Sequence, residues 1–80
     1  MIRLLLFASA REAAGTGEEL VEGATVGEIL REAERRHGAG FARIVMGSRV
    51  WLNGEPAADA DVVSDGDEVA VLPPVSGGTV

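Results

Sequence analysis

The chain has 80 residues, a length that allows one domain and lies near the lower limit for a single hydrophobic core. Hydrophobic residues make up 46% of it and cysteine is absent, which excludes disulfides, thiolate metal sites and thiol catalysis. The net charge of −6, from 13 acidic and 7 basic residues, argues against a nucleic-acid binder and favours a partner with a basic surface. No apolar run approaches the ~20 residues of a membrane span, so we expect a cytoplasmic protein without membrane contact.

Two strands are predicted near the N-terminus. Ile2 to Phe7 is a nearly continuous apolar run, which is typical of a central strand buried on both faces. Residues 8–14 are good helix formers that end at Gly15, so they predict a short helical turn. Glu18 to Glu22 predicts a second strand, antiparallel to the first.

The clearest predicted element is a helix that begins after Thr25. Thr25 and Glu28 have the spacing of a capping box, and Gly38 supplies the stop. Apolar residues fall on one helical face between them, namely Val26, Ile29, Leu30 and Ala33. His37 is the only histidine, and a role at the helix end explains it better than catalysis, because no second ligand or nucleophile accompanies it.

The segment after this helix predicts shorter elements. Residues 39–40 are expected to be a linker, and residues 41–46 a short irregular segment that folds back onto the sheet or helix. Val50 to Leu52 predicts a third strand that turns at Asn53-Gly54, a strong tight-turn signal. Residues 55–58 are expected to pair briefly beyond that turn.

The last strand is predicted from Glu68 to Leu72, after a turn at residues 64–67. The acidic residues before it lack calcium-loop spacing, so we interpret them as solvated loops and predict no metal site. The first and last strands are the most apolar, so they should lie side by side in the sheet, parallel because a helical crossover joins them. These elements predict an α+β fold of the β-grasp (ubiquitin-like) type: a mixed sheet of four or five strands, one main helix across it, and a free C-terminal arm.

The C-terminal stretch has the composition of an arm. Pro73 and Pro74 should end the last strand and direct the chain outward. Val75-Ser76-Gly77-Gly78 has little bulk, so it suits a narrow channel in another protein. We therefore predict a β-grasp domain over residues 1–74 and a flexible tail over residues 75–80. The alternative is a frayed chain end without function.

Several stretches, in their order along nearly the whole chain, resemble one family. They are Leu6-Phe7-Ala8 with Arg11-Glu12 and Gly15; Ala24-Thr25-Val26-Gly27-Glu28; Leu52-Asn53-Gly54-Glu55; Asp65-Gly66-Asp67-Glu68-Val69-Ala70; and Leu72-Pro73-Pro74-Val75-Ser76-Gly77-Gly78. In them the chain resembles the small, ubiquitin-like subunit of molybdopterin synthase, within the wider set of sulfur-carrier β-grasp proteins. The last two stretches are the most specific.

The resemblance implies a carrier that is not catalytic alone and binds no cofactor. A partner adenylyltransferase of the ubiquitin-activating type would use ATP to activate the terminal glycine carboxylate, which becomes a thiocarboxylate. That end, Gly77-Gly78, would enter the large subunit of the synthase and deliver sulfur to a pterin precursor. The resemblance also implies a set of partner-binding residues: Phe7, Arg11, Leu72, Pro73, Pro74 and Val75. Core packing is the alternative for Phe7.

Thr79-Val80 depart from the family, whose members of this kind end at the second glycine. Gly78 is then an internal residue, and a β-branched valine would enter a glycine-shaped channel poorly. We therefore expect a processing peptidase to remove Thr79-Val80.

Three other functions stay open on the sequence. The chain could carry sulfur for thiamine, cysteine or tRNA thiolation, or modify proteins through Gly78 without building lysine-linked chains, since all seven basic residues are arginine. It could also be a non-reactive interaction module in which Thr79-Val80 persist. An apolar patch meant for a partner would allow weak pairing with a second copy. Catalysis by this chain itself is disfavoured, because no nucleophile–base pair is evident.

Overall fold

The computed structural model describes residues 1–74, so the predicted tail over residues 75–80 lies outside the described part. The described residues form eight elements: β1 Ile2–Leu6, α1 Ala8–Ala14, β2 Glu18–Val21, α2 Val26–His37, α3 Ala39–Met46, β3 Arg49–Leu52, β4 Glu55–Pro56 and β5 Glu68–Leu72. Within this part of the chain, no helix is long and apolar enough to span a membrane.

The five strands form one mixed sheet in the order β2-β1-β5-β3-β4. β1 and β5 are parallel neighbours at its centre, with Leu4 opposite Val69. β2 pairs antiparallel with β1, and β3 pairs antiparallel with both β5 and β4. The predicted β-grasp topology, with its central parallel pair, is confirmed.

All three helices contribute side chains to one core on one face of the sheet. Every second residue of the central strands is at most 2% exposed on that face, namely Ile2, Leu4, Leu6, Val69 and Val71. They pack with the predicted apolar face of α2, with Ala10 of α1, and with Phe41 and Val45 of α3. The intervening residues Arg3 and Leu5 are only partly buried, so the prediction that β1 is buried on both faces was wrong. The helices cover one side of the sheet and leave the other open.

The predicted capping box of α2 is present. Thr25 Oγ1 accepts a hydrogen bond from the backbone N–H of Glu28 (3.2 Å). Glu28 Oε1 in turn accepts one from the backbone N–H of Ala24 (2.8 Å), one residue before the cap. Together they occupy two backbone donors at the helix start, where no helical carbonyl can reach them.

Residues 39–46 form a helix, α3, where a linker and an irregular segment were expected. Gly38 takes a positive φ of 93°, which lets the chain leave α2 and begin α3 without an intervening loop. Phe41 and Val45, four residues apart, then bury their side chains on one helical face. Ser48 Oγ donates to the carbonyl of Ile44 (2.6 Å) at the end of this helix.

β2 is an edge strand on which side chains occupy three outward backbone groups. Thr16 Oγ1 donates to the carbonyl of Glu18 (2.9 Å) and accepts from its N–H (3.3 Å). Arg36 Nη1 donates to the carbonyl of Leu20 (3.1 Å). An open edge of this kind is a template for pairing with another strand. These contacts therefore act against strand addition at β2.

Replacing both capping side chains, in the double variant Thr16→Ala/Arg36→Ala, should expose the edge and promote pairing between copies of the chain. We expect sedimentation to show more concentration-dependent dimer than in the wild type. Arg35→Ala is the matched control, because Arg35 lies on the same helix but bonds only to Glu32 among residues 1–74. A double variant that sediments like the control would contradict this role.

Candidate partner-docking face

Phe7 and Leu72 lie side by side at one end of the open face. Leu6 and Val71 are opposite each other in the parallel β1–β5 pair, so the next residues leave the sheet together. Phe7 is 46% exposed and Leu72 is 38% exposed, so Phe7 is a surface residue rather than part of the core. Ala8 then takes a φ of 50°, in the left-handed region, which costs a non-glycine residue about 1–2 kcal/mol. This corner carries α1 to the helical side and leaves Phe7 on the open face.

Two shallow depressions join these residues to the middle of the open face. One, of about 320 Å³, is lined by Phe7, Trp51, Gly54, Glu68, Ala70 and Leu72. The other, of about 300 Å³, is lined by Gly47, Arg49, Trp51, Leu72, Pro73 and Pro74. Trp51 and Leu72 belong to both, so the apolar surface is continuous. We call Phe7, Trp51, Ala70 and Leu72 the open-face patch.

The described chain ends at the rim of this patch. β5 ends at Leu72, as the two prolines predicted. Pro73 is buried and Pro74 is exposed, so the chain is held against the domain for one residue beyond the strand. The remaining predicted site residues, Val75, Gly77 and Gly78, and the extension Thr79-Val80 lie outside the described residues.

Arg11 is exposed on α1 but does not line the open-face patch. Its guanidinium lies over Gly17, where a Cβ would come within 3.3 Å of Nε. The side chain therefore extends across the connection between α1 and β2. Among the predicted partner-binding residues, the structure brings together Phe7, Leu72 and the two prolines and places Arg11 to one side.

Glu68, at the border of the patch, belongs to a charged cluster on the open face. Arg3 Nε bonds to Glu18 Oε2 (2.8 Å), and Arg3 Nη1 bonds to Glu68 Oε2. The hydrogen bond from Arg3, reinforced by its charge, lowers the pKa of Glu18. The hydrogen bond to Glu18 and the charge of Glu18, followed by the charge of Glu68, raise the pKa of Arg3.

The sequence analysis did not assign Trp51 or Glu68 to the site. The alternation of side chains along a strand, counted back from the turn at Asn53-Gly54, could have placed Trp51 on the open face of the sheet.

The opposite end of the sheet is fastened by Asn53 and Asp67. Asn53 Oδ1 accepts from the N–H of Glu68 (2.9 Å), and Asn53 Nδ2 donates to Asp67 Oδ1 (3.1 Å). Asp67 Oδ2 also accepts from the N–H of Ser64 (2.8 Å). The hydrogen bond from the backbone of Ser64 and, to a smaller extent, the one from Asn53 lower the pKa of Asp67. These acidic residues close turns, and residues 1–74 contain no cluster of three side chains arranged to hold a metal.

His37 joins α2 to the sheet and to α3. Its Nε2 lies 2.8 Å from Glu19 Oε2, and its ring is centred 5.1 Å from that of Phe41 at an angle of 56°. These contacts are structural, and within the described residues no nucleophile accompanies the imidazole.

The family model described as the ThiS family matches residues 4–78. The chain belongs to the ThiS family. It is 41% identical over 83 residues to the molybdopterin synthase sulfur carrier subunit of Chlamydomonas reinhardtii, an alignment that covers 96% of this chain and 98% of that one. The family resemblance in the sequence is thereby confirmed.

Solved structures share the fold over nearly the full length. SAMP1 from Haloferax volcanii is 37% identical, with a TM-score of 0.81 over 96% of this chain and 98% of that one. A chain of the BexX/CysO complex from Amycolatopsis orientalis is 29% identical, with a TM-score of 0.82 over 98% of this chain and 100% of that one. The proteins that this chain resembles thus include a named sulfur carrier, a named modifier and a member of a protein complex, so the resemblance alone does not select the function.

Removing a side chain of the open-face patch should cost little folding free energy. We expect Phe7→Ala and Leu72→Ala each to lower the free energy of unfolding by less than about 1 kcal/mol, because both residues are substantially exposed. Leu4→Ala, on the buried face, should cost about 2–5 kcal/mol. Urea denaturation of the three variants measures the difference. A cost at Phe7 equal to that at Leu4 would show that Phe7 belongs to the core.

The Asp67 carboxylate should stabilise the fold in a pH-dependent way. Because the pKa of Asp67 in the folded state lies below the ordinary value of an aspartate, its stabilisation is fully present above that ordinary value and is lost as the pH falls through the lowered pKa. We expect Asp67→Asn to be less stable than the wild type at neutral pH, with a difference that shrinks in acid. Urea titrations at several pH values test this. Glu55→Gln is the control, because its carboxylate makes no hydrogen bond or ion pair within residues 1–74, and it should show no such trend.

Proposed function

We propose that this chain carries sulfur for molybdopterin synthesis, as a thiocarboxylate on Gly78 after Thr79-Val80 are removed. The observation that carries the proposal is the 41% identity, over nearly the full length of both chains, to the Chlamydomonas carrier subunit. The structure supports it because Leu72, Pro73 and Pro74 lead toward Gly77-Gly78 from the rim of an exposed apolar patch.

The proposed chemistry takes place at the chain end and in partner active sites. A carboxylate is a poor electrophile, so a partner adenylyltransferase joins it to the AMP part of ATP and releases pyrophosphate. A hydrosulfide-equivalent nucleophile then attacks the acyl carbon, and AMP leaves with the bonding electron pair. The product is a thiocarboxylate, whose sulfur passes to the pterin precursor in the large subunit while water restores the carboxylate. Because the chain has no cysteine, the carried sulfur has no thiol of this protein to occupy.

The open-face patch supplies the handle for these partners. Phe7 and Trp51 offer large apolar area beside the chain exit, and aromatic side chains of this kind dominate many interfaces. The large synthase subunit and the adenylyltransferase both need the same chain end. We propose that both dock on this face, and therefore bind one after the other.

Processing is a necessary step of this proposal. Gly78 carries a free carboxylate only after a peptidase has cut the bond between Gly78 and Thr79. Until then the chain is an inactive precursor.

The 37% identity to SAMP1, a protein named as a modifier, favours a second candidate function. In it, the activated Gly78 carbonyl is transferred to amines of target proteins. Since the chain has no lysine, each target amine would receive a single copy without lysine-linked chains. Sulfur carriage for thiamine, cysteine or tRNA thiolation is the other alternative.

The intact mass of the protein isolated from its own cells tests the proposal. We expect a species that ends at Gly78 with one oxygen replaced by sulfur. A variant truncated after Gly78 should accept sulfur from the adenylyltransferase, ATP and a sulfide source. The matched full-length chain should not do so until it is cleaved. Sulfur found on protein that still ends at Val80 would refute the processing step, and Gly78-dependent conjugates without any thiocarboxylate would favour the modifier function.

A further inference from the structure

The seven arginines divide into two groups by their ion pairs. Four pair with carboxylates on the sheet, on α2 or on the loop beside it, namely Arg3, Arg31, Arg35 and Arg36. The other three, Arg11, Arg43 and Arg49, are exposed and form no ion pair with a carboxylate of residues 1–74. Their charges are therefore available to another molecule.

These three arginines belong to the elements around the chain exit. Arg49 is opposite Leu72 in the β3–β5 pair and lines a depression with Pro73 and Pro74. Arg43 is on α3, which leads through Gly47 into the start of β3. Arg11 is on α1, which follows Phe7 directly and packs against α3. We call this region, built from residues 7–17, 38–51 and 72–74, the exit end.

The exit end has a charge opposite to that of the whole chain. Its segments contain the three unpaired arginines and a single acidic residue, Glu12, whereas the net charge of the protein is −6. Six of the remaining acidic residues are neutralised by an arginine or lie against His37, namely Glu18, Glu19, Glu32, Glu34, Asp59 and Glu68. The others lie at the start of α2, on β4 and in the loops and turns of residues 22 and 61–67, where Asp65 pairs with the N-terminal amine and Asp67 with Asn53. The molecule is therefore electrically polarised along its strands.

We infer that the exit end docks against an acidic rim around the opening in the partner that receives the C-terminal segment. The inference rests on the proposed function, in which a partner takes up that segment. An acidic partner would repel most of this protein and attract only the exit end, so the chain would approach with its C-terminal segment foremost. A basic partner surface, which the net charge had suggested, would attract the opposite end and turn the segment away.

The arginines and the open-face patch would divide the work of binding. Arg49 borders the patch, so the charged and apolar surfaces are continuous. Apolar contact supplies affinity, and complementary charge supplies orientation and association rate. A nucleic acid is a poorer match, because its phosphates would extend past the exit end to the acidic remainder of the protein.

The test compares two double variants that lose the same net charge. Arg43→Gln/Arg49→Gln changes the exit end, and Arg31→Gln/Arg35→Gln changes α2. Association with the large subunit of molybdopterin synthase from the same organism is followed by stopped flow over a range of NaCl concentrations. We expect the exit-end variant to associate about tenfold more slowly at low salt, with a weaker salt dependence. The α2 variant should stay within about twofold of the wild type, and circular dichroism should show both variants folded.

A second readout separates failure of this inference from failure of the proposed function. All chains in this test end at Gly78, and failure of the unsubstituted chain of that length to bind the large subunit would refute the proposed function. In either case, a short polyglutamate peptide titrated into labelled protein should shift amide resonances in α1, α3 and the start of β3, but not in the exit-end variant. Unchanged association of that variant, or shifts confined to α2, would overturn the inference.

Discussion

The parallel pairing of β1 with β5 is the constraint on which the rest of the structure depends. Parallel neighbours finish at the same edge of a sheet, so Phe7 and Leu72 emerge together although 64 positions separate them in the sequence. The crossover between the two strands has to pass over one face, and all three helices contribute to the core there. The open surface beside the chain exit is therefore a consequence of the topology, and the residues Phe7, Trp51, Ala70 and Leu72 make it apolar.

An open sheet face and an open edge are hazards for a chain of this size, because both invite association between copies. The structure limits each with charged or polar side chains. Arg3 covers part of the open face by bonding to Glu18 and Glu68, while Thr16 and Arg36 occupy the outward groups of β2. Beside the chain exit, the apolar side chains of the open-face patch remain uncovered. This arrangement is what a docking surface requires, since a partner can bury the patch without displacing ion pairs.

The sequence predicted those elements whose signals are local. The capping box at Thr25 and the turn at Asn53-Gly54 each specify a structure within a few residues, and the apolar end strands specify the sheet centre. α3 was missed because Gly38 was interpreted as a helix stop and residues 39–40 as a linker, which obscured the spacing of the buried residues in α3. The open face of β1 could not be read from its apolar run, because composition does not say what covers a strand. That Arg49 pairs with no carboxylate of residues 1–74 likewise depends on which tertiary ion pairs form elsewhere.

Two of the stretches that carry the family resemblance stabilise the fold and do not lie at the chain end where the proposed chemistry takes place. Asn53 and Asp67, from two of the resembling stretches, fasten β3 to β5 at the end of the sheet remote from the exit. They preserve the strand register, and the register places Arg49 and Trp51 opposite Leu72 and Ala70. A carrier and a modifier with this fold would need the same register, so these contacts do not distinguish the two functions. The choice between those functions must therefore be made where the chain meets its partners, in the side chains of the exit end and in the C-terminal segment that follows Pro74.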